Sequence, residues 1–138
     1  MKFIKLMTLV LAVLLCIGAF AGCGAEVNYA ENNTEFVIGL SGPLTGGAAM
    51  YGQAVANSAQ MAVDEINAAG GLNGVMFKLI ASDDMHDPTK VAPTYATMLE
   101  SGMQVSLGTV TTGPALEFKN LSNDDNVFFL TPSASGDK

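Results

Sequence analysis

The sequence predicts an α/β fold: a doubly wound parallel sheet with helices on both faces. Three observations carry this. From residue 36 onward, short apolar runs of strand length alternate with longer stretches at helical spacing, and a β-α-β-α-β-α-β order demands parallel strands joined by crossover helices. The strand runs are continuous rather than alternating, as in Phe36-Val37-Ile38-Gly39-Leu40, which marks strands covered on both faces. The helical stretches are bounded by Gly and Pro at the places where helices stop and start.

The first strand is Phe36–Leu40, followed by a Gly/Pro loop from Ser41 to Gly47. A helix from about Met50 to Ala69 carries Val55, Ala59, Ala62, Val63 and Ile66 at helical spacing on one face. Gly70-Gly71 ends it, because Gly tolerates the left-handed conformation of a helix C-terminus. Val75–Ala81 is the second strand. Asp87-Pro88 opens the second helix, with Asp87 as N-cap and Pro88 in the first turn. Its buried stripe is Val91, Tyr95, Met98 and Leu99, and Ser101-Gly102 stops it. Pro93 inside that stretch predicts a kink or a late start. Gln104–Gly108 is the third strand. Gly113-Pro114 starts a third helix with Ala115, Phe118 and Leu121 on its buried side, and Asn126–Leu130 is the fourth strand.

The first 22 residues have a different character. Lys2 and Lys5 precede an apolar run from Leu6 to Phe20, then small residues lead to Gly22-Cys23. That is the order of parts in a secretory signal, and the run is shorter than the roughly 20 apolar residues of a spanning helix. Phe20-Ala21-Gly22-Cys23 resembles a bacterial lipobox, with Phe20 where Leu is usual. Residues 1–22 are expected to be a lipoprotein signal peptide, Cys23 the lipid-bearing residue, and residues 23–35 a polar tether. Acylation by two or more chains holds a protein stably at a membrane. The expected location is therefore the outer face of the cell membrane, or the periplasm. Cys16 lies in the leader and Cys23 at its end, so neither forms a disulfide in the exported domain.

The 138 residues are 49% hydrophobic with a net charge of −7. That is enough apolar content for a core. The acidic balance and the absence of Arg exclude a nucleic-acid binder, which needs a basic face to displace counterions.

Catalytic motifs fail one by one. Ser41-Gly42-Pro43-Leu44-Thr45-Gly46-Gly47 matches neither phosphate-binding glycine pattern and has no Lys. No nucleotide cofactor is expected. Gly39-Leu40-Ser41-Gly42 approaches a nucleophile elbow, but Pro43 stands where its second Gly belongs. A serine hydrolase built on Ser41 is the rival from another class, and Ser41 is read as a turn residue. Asp83, Asp84, His86 and Asp87 have metal-ligand chemistry, yet Met85 and Pro88 break a calcium loop at its third and sixth positions. A solvated loop, with no metal, is the expectation.

A convergence of loops says more. Parallel α/β sheets bind ligands outside the carboxyl ends of their strands. Three such loops carry small hydroxyl residues: Ser41 onward, Thr109 to Thr112, and Thr131 to Ser135. The third helix starts beside Thr111-Thr112, so its free N–H groups and positive end can hold a carboxylate. Hydroxyls and carbonyls of the third loop can accept from an ammonium. The arrangement suits a small zwitterion; three ordinary cap-and-turn loops are the alternative.

The run Ile38-Gly39-Leu40-Ser41-Gly42-Pro43-Leu44-Thr45-Gly46 with Tyr51-Gly52 resembles the opening of the leucine/isoleucine/valine-binding proteins. The likeness continues through Ala62-Val63-Asp64-Glu65-Ile66-Asn67-Ala68-Ala69-Gly70-Gly71-Leu72-Asn73-Gly74, Asp83-Asp84, Asp87-Pro88, Leu107-Gly108 and Thr131-Pro132-Ser133-Ala134-Ser135. It implies the amino-terminal lobe of a type I periplasmic binding protein over residues 36–138, incomplete, with strand order 2-1-3-4. It also implies a non-enzymatic protein that takes an amino acid, branched-chain or similar, to an ABC transporter permease. A ligand sensor of the same fold is the alternative. By position, the resemblance puts Thr112, with Thr111 beside it, at the ligand's carboxylate. Ser133 falls at a carbonyl that takes the ammonium, and Ser135, with Ala134 beside it, at a hydroxyl and N–H serving both groups. Tyr51 falls on an aromatic pocket wall. His86 and Thr111 stand where some members have a disulfide. The resemblance places an acidic ammonium partner on a second lobe.

Overall fold

A computed structural model describes residues 35–136. The expected leader, Cys23 and all of the tether but Glu35 lie outside them. Four parallel strands form one sheet: β1 (Glu35–Gly42), β2 (Met76–Asp83), β3 (Val105–Leu107) and β4 (Phe128–Leu130). Their order is β2-β1-β3-β4, as the resemblance implied. The crossovers are α1 (Ala49–Ala68), α2 (Val91–Glu100) and α3 (Thr112–Asp124).

Register sorts the side chains into two faces, because successive strand residues point oppositely. Ile80, Gly39, Ser106 and Phe129 lie side by side across the sheet. On that face Val91, Tyr95 and Met98 of α2 meet Met103 and Phe118, with Ile80 and Phe129 packed against them. Phe118 stands edge-on to Tyr95 at 5.0 Å and is tilted to Phe129 at 5.1 Å. The predicted stripes of α2 and α3 thus form one core. Chain direction explains the grouping. β2→β3→β4 runs one way across the sheet and β1→β2 the other, so crossovers of one hand put α2 and α3 together and α1 opposite.

α1 crosses only β1 and β2. Phe128 and Leu130, on its side of β4, therefore stand 70% and 57% exposed. The expected α1 stripe is correct in part: Ala59 and Val63 are buried and Val55 is half-buried, whereas Ala62 is exposed and Ile66 is 40% exposed. The contact line is narrow and made of small residues, Gly52, Ala59 and Val63. At its C-terminus the Asn67 side chain pairs with both the N–H and the carbonyl of Phe77, at 2.8 and 2.7 Å, fixing α1 to β2. Gly70 and Gly71 follow with positive φ, as expected of a helix end.

Several element boundaries lie a few residues from the expected ones. Glu35 already belongs to β1 and pairs with Met76. Asp87 caps a single 3-10 turn, Pro88–Lys90, by accepting from the Thr89 N–H at 2.9 Å; α2 begins after it, at Val91. This late start, one of the two outcomes expected of Pro93, places that residue in the first turn of α2, where a missing N–H leaves no bond unmade.

Candidate functional site

The loops after β1, β3 and β4 leave the same edge of the sheet, since the strands are parallel. What holds each loop decides what it can do. Leu44 and Thr45 of the first loop are fastened by Asp83 at the end of β2. Its carboxylate accepts from the Leu44 N–H at 2.7 Å, the Thr45 N–H at 3.3 Å and the Thr45 hydroxyl, and also from Met85 N–H at 2.9 Å. Burial acts to raise the Asp83 pKa; the bonds from Thr45, Met85 and Leu44 outweigh it and hold the carboxyl below its ordinary range.

A depressed folded-state pKa contributes stability that is present above the unfolded value and lost as pH falls through the folded one. Asp83→Asn should therefore cost about 1–2 kcal/mol near neutral pH, the scale of weakened charge-assisted bonds. That difference should shrink as pH drops below the ordinary carboxylate value of 3.8. Urea titrations of both forms across that range check it; a gap independent of pH would contradict it.

Ser41 is not the loop residue the sequence suggested. It lies within β1, fully buried, and its hydroxyl donates to Asp84 Oδ2 at 3.0 Å. The backbone N–H of His86 donates to the other oxygen of that buried carboxylate at 3.0 Å. Burial pushes the Asp84 carboxyl up, against the pull of these two bonds. The acidic cluster thus splits: Asp83 faces the first loop, Asp84 faces Ser41, and Asp87 caps a turn. Among the described residues no three acidic, His or Cys side chains are grouped to hold a metal ion.

The second and third loops are brought together. Gly108 N–H donates to the Leu130 carbonyl at 2.8 Å, extending the β3–β4 pairing. Thr131 Oγ1 donates to the Thr109 carbonyl at 2.8 Å, and Gly136 N–H donates to Thr112 Oγ1 at 3.1 Å. Thr111 is the N-cap of α3 and Thr112 its first residue, one earlier than expected. The Thr111 hydroxyl is buried and has no partner among the described residues, nor does any side chain among them cap the helix. Ala115 N–H returns to Thr111, and Pro114 has no N–H. Among the described residues, the N–H groups of Thr112 and Gly113 are therefore the helix's free donors.

Ser133 and Ser135 are exposed and Ala134 is half-buried. Tyr51, 59% exposed, lies in the first turn of α1 on the same edge, and no hydrogen bond among the described residues ties it to the other loops. The loop that holds Ser133, Ala134 and Ser135 is thus tied to the loop that holds Thr111 and Thr112. The sequence reading missed Asp83 as the anchor of the first loop. The available signal was an Asp at a strand's end, a position from which a carboxylate collects N–H groups of adjoining turns.

The family model described as "Periplasmic binding protein" matches residues 35–138. The Leu/Ile/Val-binding protein BraC3 of Rhizobium johnstonii is 36% identical over 103 residues, 75% of this chain and 28% of its own. The leucine-, isoleucine-, valine-, threonine-, and alanine-binding protein of Pseudomonas aeruginosa is 33% identical over 98 residues, 71% of this chain and 26% of its own. Among solved structures, the branched-chain amino acid transporter substrate binding protein LivJ of Streptococcus pneumoniae, in complex with isoleucine, superposes with a TM-score of 0.71. It is 30% identical and covers 75% of this chain and 30% of its own. The fold is that of the type I periplasmic binding proteins. The chain belongs to the periplasmic binding protein family. That is a family of solute-binding proteins, not of enzymes. The chain spans less than a third of the length of the relatives it matches.

Proposed function

We propose that this chain supplies one wall of an extracytoplasmic amino-acid site serving an ABC importer. The observation that carries this is the clasp between the α3 N-terminus and the loop after β4. The two free N–H groups of α3 and its positive end suit a carboxylate. Thr112 Oγ1 already accepts from Gly136 N–H, so its own proton is free to donate, which again suits an anion. Across from it, the Ser133 carbonyl and Ser135 hydroxyl are acceptors for an ammonium. Tyr51 stands where a side-chain wall belongs. A second lobe is needed to close over the ligand, because desolvation strengthens each polar contact.

Support for the amino acid comes from the relatives' own ligands: isoleucine in the Streptococcus structure and leucine, isoleucine, valine, threonine and alanine in the Pseudomonas name. The test joins residues 35–136 to the remaining length of the Streptococcus LivJ. Isoleucine should bind that chimera, and a branched acid lacking the amino group should bind it far more weakly. Equal binding of the two would remove the zwitterion reading.

The proposal includes the leader. Residues 1–22 are a signal peptide, Cys23 carries the lipid, and residues 23–34 tether the lobe to the membrane face. Expressed in bacteria, Cys23→Ser should lose fatty-acid labelling and leave the membrane fraction. Labelling that survives the substitution would end the anchor.

A further inference from the structure

We infer that Thr131 is a positioning residue: it shapes the ammonium-side loop of the site without touching the ligand. The inference rests on the amino-acid reading for its consequence, and on hydrogen bonds alone for its geometry. The Thr131 hydroxyl has one proton, and that proton goes to the Thr109 carbonyl at 2.8 Å, 22 residues away in the second loop. The same oxygen accepts from Ala134 N–H at 3.2 Å. With its proton spent, the hydroxyl has none left to donate to a carboxylate. What it does is close the turn from Thr131 to Ala134 and pin that turn to the carbonyl of fully buried Thr109.

The turn holds Ser133 and leads directly into Ser135, so the directions of both depend on this one oxygen. Pro132 assists, since a residue before proline is confined to extended backbone, which lowers the entropy lost in holding Thr131 still. The other side-chain tie between the loops, Gly136 to Thr112, uses a hydroxyl assigned to the ligand and lies on exposed ground. Thr131 makes its tie with a proton that a ligand carboxylate cannot then take.

The test is residue-resolved amide hydrogen exchange by NMR on the full chain. Thr131→Val keeps the shape and removes the hydroxyl; it should speed exchange at Ala134 and Gly136 about tenfold, the order of effect expected when its two part-buried bonds are lost. Tyr95 and Phe118 should exchange as in the parent, and Thr131→Ser should restore the loop. Unchanged exchange at Ala134 in the valine variant would overturn the proposal. If that variant does not fold, the parent decides: its Thr131 hydroxyl proton should be protected from solvent, and free exchange would refute the bond. In the chimera, Thr131→Val should weaken isoleucine about tenfold. Loss of loop order with undiminished affinity would overturn the positioning role and leave the binding reading standing. Failure of the parent chimera to bind, with the exchange pattern as expected, would count against the binding reading alone.

Discussion

Gly52→Ala should destabilise the lobe by about 3 kcal/mol, at the upper end of what overpacked sites cost. Helix propensity alone predicts the opposite sign. Gly52 sits in the body of α1, where exchanging glycine for alanine normally gains about 0.5–1 kcal/mol. Here the added Cβ would stand 2.1 Å from the Pro43 carbonyl oxygen and 2.6 Å from its carbon. Both are backbone atoms of the first loop, which Asp83 already holds through Leu44 and Thr45, so neither can step aside cheaply. Either α1 lifts from the sheet or the loop leaves its anchor. Thermal denaturation of the variant beside Gly47→Ala, where an added Cβ meets nothing within 4 Å, isolates the clash. A variant at Gly52 as stable as the parent would show that α1 does not approach the loop this closely.

Gly52 also marks the boundary of what could be read from residues alone. Apolar spacing placed four strands and three helices correctly because each is a local pattern. It could not say that α1 would lie over only two strands, which is why Ala62 and Ile66 were expected inside and are exposed. Counting apolar residues finds Ala59 and Val63 but passes over Gly52, whose usefulness in the contact line is its small size. Asp87 shows the same limit at shorter range. The cap was legible, but a 3-10 turn and an α-helix open with the same Asp-Pro signal.

For the site, the loops were legible and their connections were not. Strand ends locate the loops after β1, β3 and β4, and hydroxyl residues stand out in them. Which hydroxyl faces a ligand depends on side-chain partners far apart in sequence. Ser41 turned inward because Asp84, 43 residues on, waits in the core as an acceptor. Thr112 meets Gly136 across 24 residues. No spacing rule contains such pairs; they exist only once parallel pairing has aligned the strands.

The most direct test of the zwitterion site is calorimetry of isoleucine binding to the chimera and three variants of it. Thr112→Ala and Ser135→Ala each remove a hydrogen bond to a charged group, worth about 1.5–3 kcal/mol, and should weaken binding about tenfold or more. Lys119→Ala is the control, because Lys119 is on the exposed face of α3, well past its N-terminus, and should leave affinity within the error of measurement. The account predicts losses at Thr112 and Ser135 with none at Lys119. Isoleucine binding that is indifferent to both Thr112→Ala and Ser135→Ala would contradict it and place the ligand elsewhere.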